Sequence, residues 1–119
     1  MSLCIVTGGK AVTLAITAFT LSWTHSVEKT EWRESWEIGP AGLYLVEARV
    51  KGSGAGMEPP PDARLENGWW VYQPPLKPLP TVALAASGVT DGGWTLCADG
   101  QCRELGKAAG VPVVLSACE

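Results

Sequence analysis

Between residues 19 and 38, apolar side chains fall on every second position on both sides of a short polar stretch. Phe19, Leu21, Trp23 and His25 share one side of a first segment. Trp32, Trp36 and Ile38 share one side of a second, with Glu34 among them. Successive side chains of a strand point to opposite faces, so a period of two over this length predicts a half-buried strand pair. With residues 27–30 as the loop, the facing pairs are His25 with Trp32, Trp23 with Glu34, Leu21 with Trp36, and Phe19 with Ile38. A slip of one residue would scatter the large apolar groups over both faces. The same pairing sets the only histidine of the chain, and one carboxylate, on an aromatic-rich face.

Shorter alternating segments flank this hairpin. Residues 2–6 and 11–16 read as strands about a Gly8-Gly9 turn. A turn at Gly39-Pro40-Ala41-Gly42 leads into a strand over 43–51. There Tyr44, Val46, Ala48 and Val50 form a wholly apolar side, while the other side changes from Leu43 and Leu45 to Glu47, Arg49 and Lys51. Residues 51–61, KGSGAGMEPPP, cannot form a regular element. Asn67-Gly68 is a turn into a strand over 69–73 that points Trp69 and Trp70 to opposite faces. Residues 74–80, PPLKPLP, favour an extended polyproline geometry, read as a rigid edge connection in preference to a ligand for a proline-binding domain.

A strand over 81–86, a turn at Asp91-Gly92-Gly93, a hairpin over 94–105, a single helical turn over 105–110 and a strand over 111–117 complete the chain. No segment holds a helical period over three turns. The expectation is one all-β domain spanning residues 1–119, of about eight to ten short strands, built as a small antiparallel sandwich or partly open barrel.

Composition narrows the function more than the fold. A length of 119 residues suffices for one core. A formal net charge of -3, with scattered lysines and arginines, excludes the basic footprint of non-specific nucleic-acid binding. The longest uncharged run, residues 11–24, is shorter than the roughly 18 apolar residues of a spanning helix, so no transmembrane segment is expected. The first charge, Lys10, lies behind a Gly-Gly pair, unlike a signal peptide, which gives a cytoplasmic expectation. Six tryptophans imply an aromatic core or a contact surface.

Four cysteines pull the other way on compartment. Cys97 and Cys102 flank an Asp99-Gly100 turn, which makes them a non-hydrogen-bonded pair with Cα atoms about 4.5 Å apart, at the short end of the disulfide range. Cys4 and Cys118 lie near the two ends and could also pair. Buried free thiols are the other reading. The tight paired spacing of zinc motifs is missing, so neither metal nor cofactor is expected.

His25 with Glu34 is the pair that could carry chemistry, as a tuned base or a cation site; a structural hydrogen bond would use the same residues. Ser26 and Thr24 have no nucleophile elbow around them, and no catalytic set is assigned. Glu28 and Lys29 occupy the hairpin tip. Arg49 beside Gly52, Gly54 and Gly56 could clamp an anion, although a phosphate cradle needs a following helix and prolines follow instead. The candidate ligand- or partner-binding residues are Trp23, His25, Glu28, Lys29, Glu34, Arg49, Gly54, Gly56 and Trp69. A small hydrolase or isomerase using His25 with Glu34, and a structural domain held by two disulfides, are the alternatives to a binding module.

The segments THSVEKTEW, EARVKGSGAGM and NGWW, taken together, resemble the bacterial domain-of-unknown-function family 1850. The resemblance covers most of the chain, most strongly residues 19–72, and its matching points are residues 24–30, Glu34, residues 54–57 and Gly68-Trp69. It implies an accessory role beside tripartite (TRAP) transporters of the type that use a TAXI solute receptor. The implied partners are the membrane subunit or that receptor. It also implies an extracytoplasmic, periplasmic location, since many relatives carry an N-terminal hydrophobic segment that this chain lacks.

Overall fold

The computed structural model describes residues 1–24, 30–51, 62–85, 91–106 and 110–118. Eleven strands follow in order among the described residues: β1 (Ser2–Thr7), β2 (Lys10–Leu14), β3 (Ala18–Thr24), β4 (Glu31–Gly39), β5 (Gly42–Lys51), β6 (Arg64–Glu66), β7 (Trp69–Tyr72), β8 (Thr81–Leu84), β9 (Asp91–Ala98), β10 (Gln101–Leu105) and β11 (Val113–Cys118). Three hairpins close on two-residue turns with positive φ at both positions: Gly8-Gly9 (55° and 79°), Asn67-Gly68 (51° and 84°) and Asp99-Gly100 (51° and 77°). That geometry matches the twist of the flanking strands, and Gly, Asn and Asp tolerate it.

All pairings are antiparallel and form two sheets. The four-stranded sheet runs β2-β1-β11-β8 and joins the two ends of the chain; the seven-stranded sheet runs β10-β9-β3-β4-β5-β7-β6. The core lies between them. Leu3, Ile5, Leu84, Val113 and Leu115 come from the first sheet, and Phe19, Leu21, Trp36, Ile38, Leu43 and Leu96 from the second. Phe19 and Trp36 stack at 6.3 Å between ring centroids. The fold is therefore an all-β sandwich of two packed sheets, with no closed barrel.

Four sequence expectations are corrected. The β3–β4 register differs by two residues from the expected one: Phe19 faces Trp36, Leu21 faces Glu34 and Trp23 faces Trp32. A shift of two keeps every side chain on its expected face, so alternation alone could not detect it. The observed register sets aromatic opposite aromatic, stacking Trp23 on Trp32 at 6.1 Å.

The second correction concerns β5. Trp36 faces Leu45 while Ser35 faces Glu47, which leaves Val46 as an extra residue in a β-bulge. Leu43, Leu45, Ala48 and Val50 consequently share the inner face. The switch from apolar to charged on one side of this segment is the bulge itself.

Third, residues 91–93 belong to β9 rather than to a turn. Two further residues of β9 are accommodated between the pairs Ser22–Thr95 and Thr24–Asp91, and Gly93 takes φ 71° there. Fourth, Leu105 ends a strand rather than starting a helical turn; residues 107–109 lie outside the described residues. β6 is an addition. Its one apolar side chain, Leu65, is 61% exposed, so no burial pattern marks it and pairing to β7 holds it.

Residues 73–80 carry the chain from one sheet to the other. Leu79 exchanges both backbone bonds with Leu43 (2.8 and 2.9 Å). Gly42, at φ 126°, lies against the Leu79 carbonyl, where any side chain would collide. Two disulfides, Cys4–Cys118 and Cys97–Cys102, take up all four cysteines, with Cα separations of 5.9 and 4.0 Å.

Candidate functional site

Register assigns the side chains of the seven-stranded sheet to rows. On the inner face, one row runs Trp23, Trp32, Val50, Trp70, Leu65 across β3, β4, β5, β7 and β6. Trp94 packs against Trp23 at 4.7 Å and donates its indole N–H to the Ala85 carbonyl at 3.0 Å. The next row runs Leu21, Glu34, Ala48, Tyr72. Ala48 and Val50 are 3% and 2% exposed, beneath larger neighbours on both flanking strands.

Glu34 is thus a carboxylate on the inner face of the sheet. The Trp36 indole N–H donates to its Oε1 at 3.1 Å. Burial pushes its pKa up, and the indole bond opposes this only in part. Burial also raises the Tyr72 phenol, and the nearby Glu34 charge adds to it. No cation pairs with Glu34 among the described residues.

The outer face is charged. Arg33 pairs with Glu31 at 3.0 Å, Arg49 with Glu47 at 2.9 Å, and Arg64 with Glu66 at 3.7 Å. Arg33 and Arg49 face each other across β4 and β5, and such like-charge pairs are tolerated when each has its own counter-ion. The Arg33 guanidinium and the Lys51 ammonium both approach the Trp69 ring, at 4.9 and 5.4 Å.

The expected site residues therefore divide. Trp23 and Glu34 lie on the inner face, and Arg49 and Trp69 on the outer one. Arg49 is already ion-paired through its Nε to Glu47. His25, Glu28, Lys29, Gly54 and Gly56 lie outside the described residues. Sequence reasoning missed Tyr72, Trp70 and Trp94 as neighbours of this end. Their proximity to Trp23, Trp32 and Glu34 depends on long-range strand pairing that no local pattern shows.

The sheet end itself unites them. Thr24 faces both Glu31 and Asp91, Trp32 faces Val50, and Lys51 faces Trp69. The points where residues 25–29 and 52–61 attach are therefore adjacent, at the end that also holds Trp23, Trp32, Trp69, Trp70 and Trp94. Of the six tryptophans only Trp36 lies away from it, in the core.

Other depressions lie further along the outer face. Cavities of about 670, 370 and 340 Å³ all have Val46, the bulge residue, in their walls. Bulges re-aim side chains and interrupt pairing, and they are common beside binding sites. Among the described residues no group of three or more His, Cys, Asp or Glu could hold a metal ion.

These features define the class as a two-sheet antiparallel β-domain with an aromatic, charge-flanked sheet end. The chain belongs to the family described as Domain of unknown function (DUF1850), which matches residues 19–105. That span runs from β3 to β10 and includes both attachment points at the tryptophan end. No match is found among curated proteins or among solved structures.

Proposed function

We propose that this domain is a non-catalytic accessory or ligand-binding module linked to solute uptake by a TAXI-type TRAP transporter. It contacts the membrane subunit or the solute receptor through the tryptophan end of its seven-stranded sheet. One observation carries the binding reading: five tryptophans, two cations on Trp69 and the attachment points of residues 25–29 and 52–61 converge there. Half-buried aromatics with arginine beside them are the usual composition of interface hot spots. The transporter link rests on what the family resemblance implies. Partner contacts by His25, Glu28, Lys29, Gly54 and Gly56 are part of the same reading.

The two disulfides support an oxidising, extracytoplasmic compartment over the cytoplasm. Mass spectrometry of the four cysteines from cells, without reductant, checks this; four free thiols would contradict it.

Affinity capture from native membranes tests the function. Transporter subunits should be retained with the wild-type chain and depleted with Trp69→Ala. Retention of neither, or equal retention of both, would overturn the assignment. The raised carboxyl of Glu34 favours a second reading, an enzyme using His25 with Glu34. A reaction abolished by His25→Ala would support that reading instead.

A further inference from the structure

β5 has an interrupted edge. On the side away from β4, Leu43 is bonded to Leu79 through both backbone groups, and pairing to β7 begins only at Ala48 with Tyr72. Between these points the chain bows away as residues 73–78, Gln-Pro-Pro-Leu-Lys-Pro. Three of those six residues are prolines without an N–H. The Leu76 N–H is already used within the segment, donating to the Pro74 carbonyl at 2.9 Å.

The alternation of an antiparallel strand directs the Leu45 N–H and C=O to the same side as those of Leu43. Neither group of Leu45 has a partner there among the described residues. A donor and an acceptor thus stand side by side in the geometry that Leu43 uses two residues earlier.

The cavity of about 670 Å³ lies over this interval. Its size falls within the roughly 300–1,000 Å³ of small-molecule sites. Tyr44, Val46, Pro74 and Leu76 give it apolar walls, and Glu37 and Lys77 supply one charge of each sign. Both charged residues are exposed, and neither is in an ion pair with another described residue. Leu79 closes one end of the interval and Tyr72 the other, so a long strand cannot run through it. From Leu43 to Ala48 the strand covers five steps, roughly 17 Å at about 3.3 Å each, less the contraction at the bulge.

We infer that this notch is a binding site for free tripeptides. The middle residue of the peptide donates its N–H to the Leu45 C=O and accepts from the Leu45 N–H through its own C=O. The terminal ammonium lies towards Glu37, and the carboxylate lies towards Lys77. The pairing is the antiparallel bridge that Leu79 makes, supplied by a ligand instead of by the chain. Unpaired backbone groups in a walled site discriminate strongly for a ligand that can pair them. The site lies on the half of β5 away from the tryptophan end and does not depend on the transporter reading.

Amide NMR of the full chain, titrated with trialanine, tests the proposal. The Leu45 amide should shift saturably while that of Leu43 does not, and Lys77→Ala or Glu37→Gln should each weaken binding at least fivefold. Both residues are surface-exposed, so the variants keep the fold, which their unperturbed spectra will show. Hydrogen exchange of the free protein should be faster at Leu45 than at Leu43. An unmoved Leu45 amide, binding unchanged in both variants, or Leu45 protected as strongly as Leu43 would overturn the inference.

Discussion

Glu34 keeps a carboxyl group on a largely buried sheet face with an indole as its hydrogen-bond partner. Burial disfavours the charged form, so the folded state binds a proton more tightly than the unfolded chain does. Across the interval between the two pKa values the native state holds more protons, and stability falls as pH rises through it. The contribution is fully present below the unfolded value and lost above the folded one. Tyr72 is the titratable group facing Glu34 from β7, and it ionises too far above this interval to contribute. Unfolding followed from mildly acidic to neutral pH should show this loss, and Glu34→Gln should flatten it. A wild-type profile that rises over the same range would contradict the assigned burial. Leu21, in the same row and 0% exposed, sets the contrast. Leu21→Ala should cost about 2–5 kcal/mol in denaturant unfolding, because a core site relaxes only partly around the lost side chain.

β5 shows how far alternation can be read. Leu43, Leu45, Glu47, Arg49 and Lys51 occur at every second position, yet they divide between faces because Val46 is an extra residue. Removing Val46 leaves Leu45, Glu47, Ala48, Arg49 and Val50 in strict inward and outward alternation against an unchanged β4. Deletion of Val46 should therefore be tolerated, with Tm within a few degrees of wild type. Deletion of Ala48 should destabilise the domain far more, since with Val50 kept opposite Trp32 it moves Glu47 into the buried place of Ala48, opposite Glu34. Thermal unfolding of the two variants checks this, and equal losses would contradict the bulge.

The same element marks the limit of legibility. Most strands and their faces followed from period two, β6, the start of β9 and the first half of β5 excepted, and the Gly-Gly, Asn-Gly and Asp-Gly turns from φ requirements. The β3–β4 register and the bulge did not, because a shift of two preserves every face and a bulge looks like a change of cover. Trp23, Glu34, Arg49 and Trp69 were each identifiable as residues of interest. Their separation onto two faces depends on which strands become neighbours, a long-range property.

At the scale of the whole molecule, the chain ends meet in one sheet, and Cys4–Cys118 fixes them across a separation of 114 residues. Chain-entropy arguments give a cross-link of that span about 4–5 kcal/mol, against about 2 kcal/mol for Cys97–Cys102, which spans only 5 residues. Serine replacement of each pair, compared by denaturant unfolding, should reproduce that order. The larger loss at the hairpin would contradict it.

At one end of the seven-stranded sheet five tryptophans gather, with the Arg33 and Lys51 cations on Trp69. A photo-reactive residue placed at position 69 in the full chain, irradiated in native membranes, tests that surface most directly. The expected result is a discrete adduct with a transporter subunit from position 69 and none from position 13 on the exposed edge strand β2. Adducts from position 13 alone, or from neither position, would contradict the account.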